Sequence, residues 1–268
     1  MPLIHHVCTG TGTGQPPLVF VHGFACAHAD WDAQVAHFSP LHRCIGVDLR
    51  GHGASPGDAM DCSMERFGAD VANVLAARDV TGAVLLGHSM GCRVVVEAAL
   101  QAPDRVAGII LVDGSQFAPA MGPALRQLFS TPDGFATVTG TWFPEMFNDK
   151  STPKIVAAIA ARAAQMPRAV GERVMCDLQR YDVTRLESSL AALPVPVMAI
   201  QTTYSNERRE RRSMTKGQTT PYLDMLRAHV PAARIEIIPG IGHFPQIDAP
   251  KATNALIADF LAGLLVRK

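Results

Sequence analysis

The sequence predicts an α/β fold: a mostly parallel central sheet flanked by helices and interrupted by one long helical segment. Three observations predict it. Apolar runs of strand length alternate with helical patterns up to Asp113, the signature of parallel βαβ units. That rhythm stops between Gly114 and Leu193, where helical patterns are broken by Pro119, Pro123, Pro132, Pro144, Pro153 and Pro167. It resumes at Pro194 and runs to the C-terminal helix. About 80 residues is too long for a structureless loop. Residues 114–193 are therefore expected to form a helical cap inserted into a core made of 1–113 and 194–268.

Each element has a local reason. Leu3 to Cys8 reads as a first strand, and Gly10 to Gly14 as a glycine turn. No helix follows those glycines, so they make a turn and not a phosphate loop. Pro17 to His22 is the second strand; Trp31 to Phe38 is a short helix with Asp30 as its expected N-cap. Arg43 to Val47 is the third strand. Ser63 has the hydroxyl to cap a helix running to Arg78, without the acidic third residue of a capping box. Ala83 to Gly87 is a buried strand, Gly91 to Gln101 a helix stopped before Pro103, and Val106 to Val112 another buried strand. Beyond the inserted segment, Pro194 to Ile200 and Ala233 to Ile238 are strands, and Lys251 to Leu265 is a helix.

Composition bounds the function. The 24 basic and 24 acidic residues cancel, which disfavours nucleic acid and anionic membrane surfaces as partners. A hydrophobic content of 48% with 18% charge fits a folded chain with a sizeable core. No apolar run reaches transmembrane length, and Met1 to His6 lacks the basic and apolar regions of a secretory signal, so a cytoplasmic location is expected. The six cysteines form no C-x-x-C pair and read as free thiols. His5 and His6, adjacent in a strand, point to opposite faces and do not suggest a metal site. Neither metal nor cofactor is expected, and the oligomeric state, monomer or homodimer, is left open.

The motif that carries chemistry is Gly87-His88-Ser89-Met90-Gly91, a G-x-S-x-G sequence between a buried strand and a helix. Such a turn strains the Ser89 backbone, exposes its hydroxyl and sets it at a helix N-terminus. The Met90 N–H then faces the place where an oxyanion would develop.

Further motifs accompany it: His22-Gly23-Phe24 after the second strand, Asp48-Leu49-Arg50-Gly51-His52-Gly53-Ala54-Ser55 after the third, and Gly240-Ile241-Gly242-His243-Phe244-Pro245 after the last. On these stretches the chain resembles the α/β-hydrolase fold superfamily, in its helical-cap serine hydrolase branch of esterases and lactonases. The resemblance covers nearly all of the chain outside the inserted segment. It implies Ser89 as nucleophile, His243 as general base, and the Phe24 and Met90 N–H groups as oxyanion donors. His22, His52 and His88 belong to their motifs, with His22 and His88 expected to bond backbone; His5, His6, His28, His37, His42 and His229 read as surface or element-end residues.

The orienting acid departs from the family pattern. Most relatives carry it after the strand that follows the cap, but here that place reads Gln201-Thr202-Thr203-Tyr204-Ser205-Asn206-Glu207. Asp113 ends a buried apolar strand, where an unpaired charge is expensive, and a minority of the superfamily places the acid there. Asp113 is favoured, with Glu207 and Asp182 as the alternatives.

The inserted segment holds Phe117, Trp142, Phe143 and Met146 among its large apolar residues, and its eight basic and seven acidic residues nearly cancel. These four are expected to line an apolar pocket above Ser89. Tyr204, Arg208 and Arg212 follow a strand end, either near that pocket or on the surface. The implied reaction is hydrolysis of a small or medium, largely apolar ester, lactone or thioester through an acyl-enzyme on Ser89. A second reading is a cofactor-free dioxygenase of nitrogen heteroaromatics, whose members in this superfamily use a similar Ser/His/Asp set. A hormone-receptor-like binder has no support from a partner surface, and Ser89 in place of Asp argues against a haloalkane dehalogenase.

Overall fold

The computed structural model describes residues 2–12, 15–206 and 210–266. Strands β1 (His6–Thr9), β2 (Leu18–Val21), β3 (Cys44–Val47), β4 (Ala83–His88), β5 (Val106–Val112) and β6 (Val197–Gln201) enter one sheet. A two-stranded ribbon, β7 (Thr203–Ser205) and β8 (Arg211–Ser213), follows, and β9 (Arg234–Ile237) completes the seven-stranded sheet in the order β1-β3-β2-β4-β5-β6-β9. All its pairings are parallel except β1 with β3. The helices are α1 (Asp32–Phe38), α2 (Met64–Ala77), α3 (Gly91–Gln101), α4 (Met121–Phe129), α5 (Gly134–Thr137), α6 (Pro153–Ala164), α7 (Arg168–Thr184), α8 (Leu186–Ala191), α9 (Pro221–His229), α10 (Pro245–Asp248) and α11 (Pro250–Val266). Among the described residues no helix is long and apolar enough to cross a membrane.

The central strands are apolar on both faces because helices cover both. In β4, Ala83 and Leu85 pack toward α2, α3 and α9, while Val84 and Leu86 join the cluster under α1 and α11. The seven sheet strands are those expected from the sequence, with shifted ends. The first begins three residues late because its pairing partner, β3, spans only Cys44 to Val47. Asp30 is a correction. A 3-10 turn, His28–Trp31, precedes α1, and the Asp30 carboxylate accepts from the Ala27 N–H (3.1 Å) and from Arg162 (2.6 and 2.7 Å). Ser63 does cap α2, accepting from the Arg66 N–H at 3.2 Å. The turn at Gly10 lies partly outside the described residues, which omit Thr13 and Gly14. All six cysteines are free.

Between β5 and β6 the chain is helical, from α4 to α8, and polar fasteners tie it to the core. Asp177 accepts from the Met64 N–H at the start of α2 (2.8 Å). Glu97 on α3 accepts from Tyr181 Oη (2.9 Å), Arg185 (2.7 Å) and Ser189 (3.2 Å). Arg93 on α3 pairs with Asp182 at 2.7 Å, with side chains 2% and 0% exposed. Removing one member of a buried pair strands the other charge. Asp182→Ala is expected to lower the unfolding free energy by about 3–5 kcal/mol, read from denaturant midpoints at pH 7. A change below about 1 kcal/mol would show that Arg93 finds another partner.

Candidate active site

The turn between β4 and α3 is too tight for an ordinary backbone. Ser89 takes φ 53°, in the left-handed region. A Cβ on Gly87 would stand 2.3 Å from the Gly91 carbonyl oxygen, so the chain folds back on itself only without one. Gly23 serves the facing loop: its backbone passes so near that a Cβ would meet that of Ser89 at 3.1 Å. Neither the Met90 N–H nor the Phe24 N–H donates to a protein group among the described residues.

His243 reaches Ser89 from the loop after β9. Its Nε2 lies 2.9 Å from Ser89 Oγ, and its Nδ1 lies 2.5 Å from Asp113 Oδ2. Asp113 ends β5 with φ 45° and is fully buried. Its Oδ1 accepts from the Thr202 and Thr203 N–H groups (2.7 and 2.8 Å), and its Oδ2 from the Thr203 hydroxyl (2.5 Å). Burial opposes ionisation of Asp113, but the hydrogen bond and charge of His243, the Arg211 guanidinium and the Thr203 hydroxyl outweigh it and hold the carboxyl below its ordinary value.

Arg211, on β8, completes the group. Its Nη1 donates to Thr203 Oγ1 (2.7 Å) and lies 3.2 Å from His243 Nδ1 and 3.8 Å from Asp113 Oδ2. Nδ1 cannot accept from Arg211 while donating to Asp113, so the arginine acts on the ring through its charge. Above Ser89 and His243 opens a cavity of about 670 Å³. Phe24, Phe117, Trp142, Phe143, Met146 and Phe244 form much of its apolar wall.

Burial keeps four imidazoles neutral, with pKa values lowered from 6.5 to about 4 for His22, about 3 for His52, about 3 for His88 and about 4 for His243. For His243 the Arg211 charge adds to the effect of burial. Unfolding releases these rings to titrate near 6.5, so the stability they contribute is present above that pH and is lost as pH falls from there toward 4. Each ring adds a slope of up to about 1.4 kcal/mol per pH unit. The denaturant midpoint is expected to drop steeply between pH 6.5 and 4, and a flat profile down to pH 4.5 would contradict the neutral burial of these rings.

A sequence model described as the alpha/beta hydrolase family matches residues 18–256. The chain belongs to this family. It is thereby an enzyme of the hydrolase class. This hydrolase is 29% identical over 262 residues to the pimeloyl-[acyl-carrier protein] methyl ester esterase of Nitrosomonas europaea, covering 94% of this chain and 96% of that one. It is 36% identical over 151 residues to the non-heme chloroperoxidase of Streptomyces lividans, covering 56% and 48% of the two chains. A thermophilic esterase from Thermogutta terrifontis superposes with a TM-score of 0.79 at 24% identity over 97% of this chain and 93% of that one. The enol-lactonase from Burkholderia xenovorans LB400 does so with a TM-score of 0.78 at 20% identity, over 97% and 96%. Those two likenesses speak to the fold alone.

The hydrolase thus brings Ser89, His243 and Asp113 into one hydrogen-bonded chain, with Met90 next to Ser89 in sequence and buried, and with Phe24, Phe117, Trp142, Phe143 and Met146 on the cavity wall. Asp182 is engaged by Arg93 and the Phe117 N–H, away from His243. Glu207 and Arg208 lie outside the described residues. His22 and His88 bond backbone carbonyls as expected, the first at Gly23 and the second at His243 (both 2.7 Å). His5 and His28 both reach the Asp48 carboxylate, at 3.0 and 2.9 Å, and help hold its loop. Tyr204 does not line the cavity, and Arg212 is exposed and bonded to Glu210. Three residues escaped the sequence reading: Thr202 and Thr203, which hold Asp113, and Arg211. The signal for them was the missing acid after β6, where a Thr-Thr pair stands instead.

Proposed function

We propose that this hydrolase cleaves a small to medium carboxylic ester, lactone or thioester through an acyl-enzyme on Ser89. The observation that carries the reading is the continuous hydrogen-bonded chain from Ser89 Oγ through His243 to Asp113. In this mechanism neutral His243 takes the Ser89 proton as Oγ attacks the scissile carbonyl. Asp113 holds the proton on Nδ1, which leaves Nε2 free to accept, and its charge supports the imidazolium. The Met90 and Phe24 N–H groups, without protein partners among the described residues, stabilise the oxyanion. His243 returns the proton to the leaving alcohol or thiol, and water then repeats the sequence on the acyl-enzyme. Residues 114–193 serve as a cap whose Phe117, Trp142, Phe143 and Met146 receive the apolar part of the substrate. The ester-cleaving name of the Nitrosomonas relative agrees with this reading.

The test is a fluorophosphonate probe together with a panel of alkyl and aryl esters. Covalent labelling of Ser89 with ester turnover is expected. Absence of both, with oxygen uptake on a nitrogen heteroaromatic, would replace the reading by the dioxygenase one.

A further inference from the structure

The cavity is apolar on most of its wall, yet a guanidinium opens into it. Arg211 lines the cavity with its side chain 16% exposed. Among the described residues only its Nη1 is engaged, donating to Thr203 and lying beside Asp113, and its Nε and Nη2 donate to no protein group. Those two nitrogens share one edge of the planar fork, the edge that matches the two oxygens of a carboxylate. The other cavity arginine, Arg93, is used up by Asp182 and by the Ser89 and Ser115 carbonyls. Two carboxylates also line the cavity. Glu210 is bound to Asn206 (2.9 Å) and Arg212 (2.6 Å), while exposed Glu145 acts on Arg211 through its charge but makes no ion pair with it among the described residues.

We propose that the open edge of Arg211 is an anion subsite, and that the favoured substrates are esters or lactones carrying a carboxylate a short apolar spacer away from the scissile carbonyl. The inference rests on the hydrolase reading above and narrows its substrate class.

Its position gives the subsite a second consequence. Arg211 touches the Nδ1 edge of the ring that must become cationic in the transition state. Alone, the guanidinium opposes that charge: it is buried, and the nearby charges of Asp113 and Glu145 leave it incompletely compensated. A substrate carboxylate on its open edge offsets the guanidinium's field at the moment His243 takes the proton. The gain from the carboxylate therefore falls on kcat as well as on KM. A surface arginine that merely gathers anions would alter KM alone.

The experiment compares monoethyl esters of succinic, glutaric and adipic acid with the same esters bearing a carboxamide in place of the carboxylate. The wild type is expected to favour the carboxylate by about tenfold or more in kcat/KM for the best spacer, partly through kcat. In Arg211→Gln the ratio falls toward one, and Arg211→Lys, a point charge without the fork, lies between. Free glutarate or adipate should also inhibit turnover of a neutral ester competitively in the wild type, a readout that needs no variant to fold. A wild-type ratio near one, or a ratio that survives Arg211→Gln, overturns the subsite. Turnover of carboxamide esters without carboxylate preference overturns the subsite alone; no turnover of any ester and no labelling of Ser89 overturns the hydrolase reading with it.

Discussion

Ser89→Ala is expected to lower kcat/KM for a turned-over ester by at least about 10⁴-fold and to abolish fluorophosphonate labelling. In the proposed mechanism the variant loses the attacking atom and little else. Alanine has a Cβ of the same size, so it meets the same strain at φ 53° and the same approach to Gly23. Its unfolding curve should therefore stay close to that of the wild type. What survives is binding in the cavity and polarisation by the Met90 and Phe24 N–H groups, which still favours attack by water over the uncatalysed rate. Ester turnover within tenfold of wild type would remove Ser89 from the mechanism.

Asp113→Asn is expected to reduce kcat by about 10³–10⁴-fold with a nearly unchanged KM. The amide oxygen would keep the Thr202 and Thr203 N–H groups at Oδ1. The amide nitrogen would then face His243 Nδ1 as a donor, and the ring answers by accepting there and carrying its proton on Nε2. That tautomer presents Ser89 with a donor where a base is needed. Glu207→Gln, on the alternative acid, should stay within about threefold of wild type. The opposite pattern, an active Asp113→Asn and a crippled Glu207→Gln, would move the acid to Glu207.

The seven sheet strands were legible because their signal is local: apolar runs of the right length between turn residues and helices. The Ser89 turn was legible for the same reason, a pentapeptide read with its flanking strand and helix. The ribbon β7–β8 was not. Its strands are three residues each, they are polar, and they alternate without an apolar face, so no periodicity marks them. Yet that ribbon carries Arg211 to His243 and turns Thr203 onto Asp113, contacts that join residues 32 and 90 positions apart. Asp30 is not the cap of α1 because it sits inside the 3-10 turn with its carboxylate on the Ala27 N–H, and its ion pair with Arg162, 132 positions away, is one that no local rule reports. The departure after β6 was visible as a missing acid, but the replacement, two backbone N–H groups and a hydroxyl cradling a carboxylate from the neighbouring strand, exists only once β5 and β6 are paired.

The fasteners of the helical segment bear on any attempt to exchange it for another. Glu97 and Arg93, both on α3, the helix that follows the Ser89 turn, are gripped by Tyr181, Asp182, Arg185 and Ser189. At the other end, the Met146 carbonyl accepts from the His243 N–H at 2.8 Å. The two halves of the Ser89–His243 pair thus rest on one piece of scaffolding that also shapes the cavity. A graft that replaced 114–193 whole would change selectivity and misalign the pair together. A graft confined to 117–143, leaving the 144–148 turn and the 177–189 stretch in place, separates the two, and offers a route to new specificity on an unchanged reaction centre.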